Sequence, residues 1–475
     1  MNYRLFFGTI FLFFAHISYG QFFYTDYDEA SIWTKMHNEY NKNNKSNNNW
    51  EKFYNNYLNT VQRTHDFGVF LKIDNDPNYN LIYKHYDLIG NGIISRYNFK
   101  KNNFEIHNSM FFTNDSLEAL RGYVRSIKDL TMYTNQSFIK YETSENSKIN
   151  YEIKLGRDFN RIGYGMGANL FLSNYSRPLD QFSIKIKYKN IGSLISVIEL
   201  DTLNLNGDVF DRHLYLHTLS YTYKNLNVIF GESIIISGIN SSLKLKYLNP
   251  FHLWSWENIG SAENGMNAFL FSGVSLKLNE INRLYAEILI DDINFHNKNA
   301  FFLNRYAYLV GFHKIAFPFK SSNIWFEFSS VLNQVYQSFH LSHTYVHNNF
   351  PIGHYLGNDF NLFRIHYAQI DKNSKIKYYF DFAYSKNGDN GIEKNFTAPW
   401  ENADGTLNKE YVPLEHPSNP LKKEIEFEIG IEINYDNKIY FISSIQSQVH
   451  SLNNSRMKNV NGSLRFWTYL NLFKK

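Results

Sequence analysis

The chain has 475 residues, a net charge of +4 and a mean hydropathy of −0.42. It contains 0 Cys, which excludes disulfides, thiolate metal sites and a cysteine nucleophile. Its positive charge is mild and not clustered, so no nucleic-acid partner is expected. Aromatic residues make up 18% of the chain, more than an ordinary soluble core needs.

Residues 1–20 have the pattern of a secretory signal peptide. Arg4 supplies a positive charge, residues 5–17 are largely apolar, and Ser18 and Gly20 are small residues ahead of a cleavage point before Gln21. No cysteine follows the apolar stretch, so no lipoprotein anchor is expected.

Residues 21–65 do not alternate in hydrophobicity. Apolar residues recur at helical spacing around residues 32–40 and 50–61, with an Asn/Lys-rich linker between them. The pattern predicts a small periplasmic helical element. A mobile N-terminal tail is the alternative, because short helices are marginal when isolated.

From residue 66 to 475 the chain alternates with a period of two. In the clearest case, residues 422–435, isoleucine and phenylalanine on one face oppose glutamates on the other, namely Ile425, Phe427, Ile429, Ile431 and Ile433 against Glu424, Glu426, Glu428 and Glu432. Side chains of a strand point alternately to opposite faces. An exported chain with many such strands and no long apolar helix predicts an all-β fold, a transmembrane antiparallel β-barrel in the cell outer membrane.

Loop lengths alternate as well. Short turns are predicted at residues 190–193, 224–225, 279–280, 320–322, 372–373 and 436–437, and long loops at 157–180, 238–265, 337–359, 386–421 and 450–461. With four earlier strands near residues 67–74, 93–99, 104–111 and 133–141, this gives about 18 strands, with long loops outside and both termini periplasmic. Residues 117–127 have helical spacing and are expected in an outer loop or in the lumen.

A central segment carries a distinctive series of motifs. These are Gly156-Arg157, Gly163-Tyr164-Gly165, Leu170 to Tyr175, Arg177-Pro178, Arg212, His217, Gly231-Glu232, Tyr247 to Phe251, Asn267 and Tyr285 to Asp292. In this order they resemble the Wzi-type capsule assembly family in its Bacteroidetes form, over roughly residues 155–295. The resemblance implies an outer-membrane barrel with a lectin-like role, retaining capsular or exopolysaccharide at the cell surface. The expected partners are that polysaccharide, outer-membrane lipid and the barrel-assembly machinery, and the chain is expected to be a monomer without a cofactor.

The candidate ligand-binding residues are Arg157, Arg161, Arg177, Arg212, His217, Glu232, Trp254, Trp256 and Asp291. Arginine guanidinium groups bind uronate or phosphate groups of a polysaccharide. Pairing with carboxylates in the lumen is the alternative, and the sequence leaves both open. Exposed tryptophans stack on sugar rings, and an interfacial girdle is their alternative position. The glycines near Gly163 suit a loop folded inward against the wall, or else an ordinary flexible outer loop.

No metal site and no catalysis are predicted. His340, His343 and His347 have metal-compatible spacing only on a helix, and Pro351 and Gly353 favour irregular backbone. Asp211, Arg212 and His213 give limited support to a protease, but no hydrolase, zinc or phosphate-binding motif accompanies them. A porin or channel for small solutes is the alternative function, and a soluble secreted β-sandwich or propeller is the third hypothesis.

Overall fold

The computed structural model describes residues 65–74, 92–113, 131–143, 147–173, 178–249, 254, 266–292, 304–373, 375–394, 396, 408, 415–435, 439–452 and 455–470. The predicted signal peptide, residues 21–64 of the N-terminal helical element, the helix-spaced residues 117–127, Arg177 and Trp256 lie outside the described residues. Within those residues, no helix is long and apolar enough to cross a membrane.

The described chain consists of antiparallel strands. They are β1 (His65–Asp74), β2 (Gly92–Lys101), β3 (Phe104–Thr113), β4 (Thr131–Glu142), β5 (Ile149–Asp158), β6 (Leu179–Tyr188), β7 (Ile191–Glu199), β8 (Leu203–Leu205), β9 (Asp208–Tyr223), β10 (Leu226–Ile239), β11 (Met266–Lys277), β12 (Asn282–Asp292), β13 (Arg305–Ile315), β14 (Ser322–Val331), β15 (Val346–His347), β16 (Phe350–Pro351), β17 (Phe360–Ile370), β18 (Ile376–Asn387), β19 (Lys422–Tyr435), β20 (Ile439–Leu452) and β21 (Ser455–Leu470). Short 3₁₀ turns lie at Leu245–Leu248 and Leu341–His343.

Nineteen strands form one sheet, of which the short β8 pairs only with β9. The remaining 18 each pair with two neighbours, and β1 pairs with both β2 and β21, which joins the two ends of the sheet. This confirms the predicted all-β barrel. Strands β15 and β16 form a separate small hairpin within a loop.

Connection lengths alternate around the sheet as predicted, except between the last two strands. Tight turns such as those after β6 and β9 place Lys189 and Lys224 at positive φ. The long loop expected at residues 450–461 is wrong, because β20 and β21 pair from Ile439 with Thr468 to Leu452 with Ser455. Backbone hydrogen bonds to the neighbouring strand continue both strands through that polar stretch.

The alternation separates two faces of the sheet. In β13, Ala307 and Leu309 are buried and face inward, whereas Tyr306, Tyr308 and Val310 are exposed and face outward. Directly opposite residues of paired strands share a face, so the strand pairings extend this assignment around the sheet. The core lies inside the ring and is built by inward-facing strand residues and two loops.

Candidate functional site

The loop between β5 and β6 folds into the ring of strands. We call residues 159–173 the inner loop. Its residues Leu170, Phe171 and Leu172 are fully buried in the core inside the sheet, and the Phe171 ring stacks on Phe271 of β11 at 4.9 Å. The predicted alternative of an ordinary flexible outer loop is therefore wrong.

A buried carboxylate of β12 holds the inner loop. Glu287 accepts hydrogen bonds from the backbone N–H groups of Tyr164, Gly165 and Leu170, and from the Asn169 side chain. The Gly165 and Leu170 bonds measure 2.7 and 2.9 Å. A loop exposes backbone donors that need partners when buried, and a carboxylate offers about four acceptor sites. The Glu287 carboxylate therefore accepts all four of these hydrogen bonds from one turn of the inner loop.

A second carboxylate, on β14, repeats this arrangement. Glu327 accepts the backbone N–H of Met166 at 2.7 Å and of Gly167 at 3.3 Å, and the Tyr285 hydroxyl donates to it at 2.9 Å. Sequence reasoning missed Glu327, because nothing local marks a strand glutamate that contacts a loop about 160 residues away.

The glycines of the inner loop are required by this close approach. Gly163 has φ +144°, and a Cβ there would lie 2.4 Å from a Glu287 oxygen. A Cβ at Gly165 would lie 1.8 Å from the Ala168 carbonyl oxygen, and one at Gly167 would lie 2.9 Å from the Trp325 ring. The expectation that these glycines allow a loop to fold inward is confirmed.

The long connection between β14 and β17 also enters the ring. We call residues 332–359 the histidine segment. Its two buried tyrosines donate to inner-loop carbonyls, Tyr336 to Leu170 at 2.6 Å and Tyr345 to Phe171 at 2.7 Å. Ser173 returns a hydrogen bond to the Gly353 carbonyl at 2.6 Å. The two segments therefore form one interlocked body, the plug.

Arg212 of β9 anchors the histidine segment. Its guanidinium donates to the carbonyls of Ser342, Thr344 and Val346 at 2.7, 2.6 and 3.1 Å and pairs with Asp201 at 2.9 Å. The residue is 1% exposed. A planar fork with five donors suits this cluster of carbonyls, which a lysine could not satisfy. In this structure the candidate residue Arg212 holds protein backbone.

Asp291 has a comparable role. The register of β12 shifts between Ile290 and Asp292, and such a bulge re-aims a side chain. Asp291 accepts the Tyr336 N–H at 2.8 Å, and Arg305 lies 3.6 Å away. The Asp291 side chain is fully buried and that of Asp292 is 58% exposed, yet one nitrogen of Arg305 lies 3.6 and 3.2 Å from the two carboxylates, so the bulge brings both acids to the same guanidinium.

The other two described arginine candidates also engage protein groups. Arg157 binds Asp180 through its guanidinium, with an Nε distance of 3.0 Å, and donates to the Thr134 carbonyl. Arg161 donates within the inner loop to the Asn169 side chain and the Gly165 carbonyl. The Arg157 and Asp180 side chains keep 23% and 45% of their surface exposed, at the long-loop end of β5 and β6.

The three remaining described candidates lie on the outward face, which by strand register is also the face of Arg157 and Asp180. Glu232 is paired in register with His217 and with Leu270, and Leu270 is 42% exposed on the outer wall. The Glu232 carboxylate lies 3.4 Å from His217 Nε2 and accepts the Trp254 N–H at 2.9 Å. The Trp254 ring is 4.3 Å from that of His217 and only 1% exposed. Trp254 is therefore not the exposed platform that the sequence suggested.

These residues are covered by what we call the outer strap, residues 240–249 with Trp254. The Lys244 N–H donates to the Tyr215 hydroxyl at 2.8 Å, and the Tyr247 ring packs on Tyr215 at 5.2 Å. Tyr247 and Trp254 join Tyr215, Ile234 and Ile236 in a second apolar cluster outside the sheet. The strap thus packs on the outward side of the strands whose inward side contacts the plug.

An aromatic cluster with a cation lies among the long loops. Phe339 is 61% exposed and meets Phe396 edge to face at 4.5 Å. The Arg305 guanidinium lies 5.3 Å from the Phe396 ring centre. Gln337 tethers the two loops by donating to the carbonyls of Gly391 and Lys394 at 2.8 and 3.1 Å. Sequence reasoning missed this cluster because its members come from the start of β13 and from two separate loops.

Of the described histidines in the histidine segment, His347 lies near an acid, with its Nδ1 3.4 Å from Asp201. Among the described residues, no group of three or more His, Cys, Asp or Glu side chains is placed to hold a metal ion. Burial and the nearby Arg364 charge lower the pKa of His354 to about 3, so the ring is neutral. Its Nδ1 accepts the Leu356 N–H at 3.2 Å, and its Nε2 lies 3.2 Å from the Ser329 hydroxyl.

Taken with its exposed apolar outer wall, this arrangement defines the class: the protein is an outer-membrane β-barrel, occupied by an interlocked plug. The fold resembles that of Wzi from Escherichia coli, described as an outer-membrane protein involved in group 1 capsule assembly and a carbohydrate-binding β-barrel. That likeness has a TM-score of 0.60 at 11% identity and covers 96% of this chain and 94% of Wzi.

The Pseudomonas aeruginosa protein OccD3 is also similar, with a TM-score of 0.47 at 10% identity, covering 86% of this chain and 90% of OccD3. No protein-family model matches the chain, and no curated protein matches it by sequence.

Proposed function

We propose that this barrel retains capsular or exopolysaccharide at the cell surface, as a binding protein and not as a channel or an enzyme. The observation that carries the proposal is the plug. Two separate loops are fixed inside the ring by Glu287, Glu327 and Arg212, and they interlock through buried tyrosines. A channel needs an open lumen, whereas here buried polar groups cross the lumen and are paired with one another.

The exposed groups among the long loops suit a glycan. Sugars offer hydroxyls to charged groups and flat apolar faces to aromatic rings. The Arg157–Asp180 pair and the Phe339–Phe396–Arg305 cluster supply both kinds of contact. The fold likeness to Wzi, a carbohydrate-binding barrel, supports the same role. Among the sequence candidates that the structure describes, Arg157 at the end of β5 is partly exposed beside an acid, Asp180.

The enzyme alternative was based on the Asp211-Arg212-His213 run. Arg212 points inward to the histidine segment, and strand alternation directs Asp211 and His213 outward. The proposal therefore assigns no catalytic role to these residues.

A retention assay tests the proposal. Deleting the protein should move polysaccharide from the cell to the medium. Phe339→Ala should reproduce much of this shift while barrel abundance stays normal. Leu341→Ala is the matched control, because Leu341 is 45% exposed on the same segment and has no ring for stacking.

Salt should weaken retention if Arg157 and Arg305 act by charge. Surface polysaccharide that is unaltered in amount and attachment after a clean deletion would contradict the proposal, and a channel would then be the better assignment.

A further inference from the structure

The outward wall carries a groove below the outer strap. Its volume is about 700 Å³, and it spans six consecutive neighbours in the sheet, from β6 through β7, β9, β10 and β11 to β12. Its lining is mostly apolar, and its polar members are His217, Glu232 and the three hydroxyl residues Ser193, Thr218 and Ser272. The groove lies on the face that meets lipid, and the plug lies on the other side of the same strands.

Strand register explains the shape of the groove. One row of outward residues runs straight across the six strands and consists of Ile186, Ser193, Leu219, Phe230, Ser272 and Ile288. The small Ser193 and Ser272 leave depressions beside the large side chains. Because neighbouring strands are about 4.8 Å apart, the row is about 24 Å long, a length suited to one extended hydrocarbon chain.

The adjacent row holds the polar pair. His217 and Glu232 are opposite each other in register, next to Leu270. They are 9% and 2% exposed on a wall whose neighbours are aliphatic. A charged or polar pair in such a place is costly unless its hydrogen-bonding capacity is used. The strap uses part of it, through the Trp254 N–H on Glu232.

His217 keeps one unused position. Its Nε2 lies 3.4 Å from a Glu232 carboxylate oxygen, so this nitrogen carries a hydrogen, and in the neutral form of the ring Nδ1 is the acceptor. Nδ1 is buried and has no hydrogen-bond partner among the described residues. His217 lines the groove, so this buried acceptor belongs to a side chain of the groove wall.

We propose that the groove binds one chain of an acylated membrane lipid whose amide or hydroxyl hydrogen, close to the chain, is accepted by His217 Nδ1. The lipid-facing position supplies the hydrocarbon, and the buried acceptor selects a lipid with a donor. The outer strap closes the end of the site through Trp254. The site is independent of polysaccharide retention, since it lies outside the lumen.

Photo-crosslinking of the intact barrel in detergent micelles tests this site. The probe is a long-chain N-ethyl fatty amide carrying a terminal diazirine, and labelled peptides are mapped by mass spectrometry. Labelling should concentrate on outward residues of β6–β12 and fall at least several-fold in Ser272→Trp, which fills the row. Unlabelled amide should compete about fivefold better than the ethyl ester of the same acid, as expected for one neutral hydrogen bond.

His217→Leu should remove the preference for amide over ester while leaving labelling by the amide probe in place. If either variant fails to assemble, the competition of unlabelled amide and ester on the wild-type protein still tests the proposal. Labelling spread equally over the outward face of β19, or equal competition by amide and ester in the wild type, would overturn the proposal.

Discussion

Strands β10 and β19 belong to the same sheet but have different surroundings. In β19 the inward Glu428 is 8% exposed and the outward Ile429 is 51% exposed, so burial alternates. In β10 the five consecutive residues 232–236 are all buried, because the plug covers one face and the outer strap the other. The plug and the outer strap therefore cover opposite faces of the same short stretch of β10.

The largest stability effects are expected in β10. Ile234→Ala and Ile235→Ala should each lower the free energy of unfolding by about 2–5 kcal/mol, since both side chains are fully buried. Urea unfolding in micelles measures this. An Ile234→Ala variant with an unchanged free energy of unfolding would mean that the outer strap does not pack on β10. The outward face of this strand would then resemble that of β19.

In β19 only one face should be sensitive. Ile429→Arg puts a charge on the lipid-facing side and should cost about 2–4 kcal/mol and impair assembly. Glu428→Gln should be tolerated, because the amide oxygen still accepts from the Tyr379 hydroxyl, now 2.9 Å from the carboxylate. Folding yield into micelles is the readout. Equal damage from both changes would show that the faces are misassigned.

Arg212→Lys should loosen the histidine segment and leave the strands in place. Lysine keeps the charge near Asp201, but its three donors share one nitrogen and cannot span the three carbonyls that the guanidinium fork reaches, so about 1–3 kcal/mol of local stability should be lost. Hydrogen exchange should rise in residues 341–347 and stay unchanged in β19. Uniform exchange changes in both regions would argue against a local anchor.

Acid should have a smaller effect on the same segment. His354 is neutral when folded, with its pKa lowered to about 3 by burial and Arg364, while an unfolded histidine titrates near 6.5. The unfolded segment therefore binds the extra proton between these values, and protection of the segment should fall as pH drops from about 6.5 toward 3. His354→Gln should flatten this part of the profile.

Asp359 belongs to a separate pH window. Burial disfavours its charge, but hydrogen bonds from His416 and Ser418 outweigh this and lower its pKa below 3.8. The stability contributed by the charged Asp359 carboxylate is therefore lost only in stronger acid.

A pH profile of His354→Gln identical to that of the wild type would show that protonation of His354 does not cause the loss of protection.

Much of the fold could be predicted from the sequence, and the two strands show why. Alternation in β19 reports one buried face and one lipid face directly. The run Ser233-Ile234-Ile235-Ile236 in β10 does not alternate, as expected for a strand covered on both sides. The sequence could not reveal which loops supply the covering, since those contacts join residues far apart in the chain.

The candidate site was predictable only in part. Motif order identified the inner-loop glycines and Arg212, but their contacts, with Glu287 and with backbone carbonyls, depend on the tertiary fold. Alternation along β9 and β10 shows which residues share a face but not which face is inward. The placement of His217 and Glu232 outside the lumen follows from the pairing of these strands with β11–β13. Phe339 and Phe396 come from two loops that share no motif, and Arg305 comes from the start of β13.

The occupied lumen is the central claim, and single-channel conductance in planar bilayers tests it most directly. The wild-type barrel should be silent, because the inner loop and the histidine segment interlock inside the ring. Glu287→Leu removes the acceptor of four inner-loop donors and should produce openings, while Glu428→Gln should stay silent. Steady, large conductance of the wild-type protein would contradict the account.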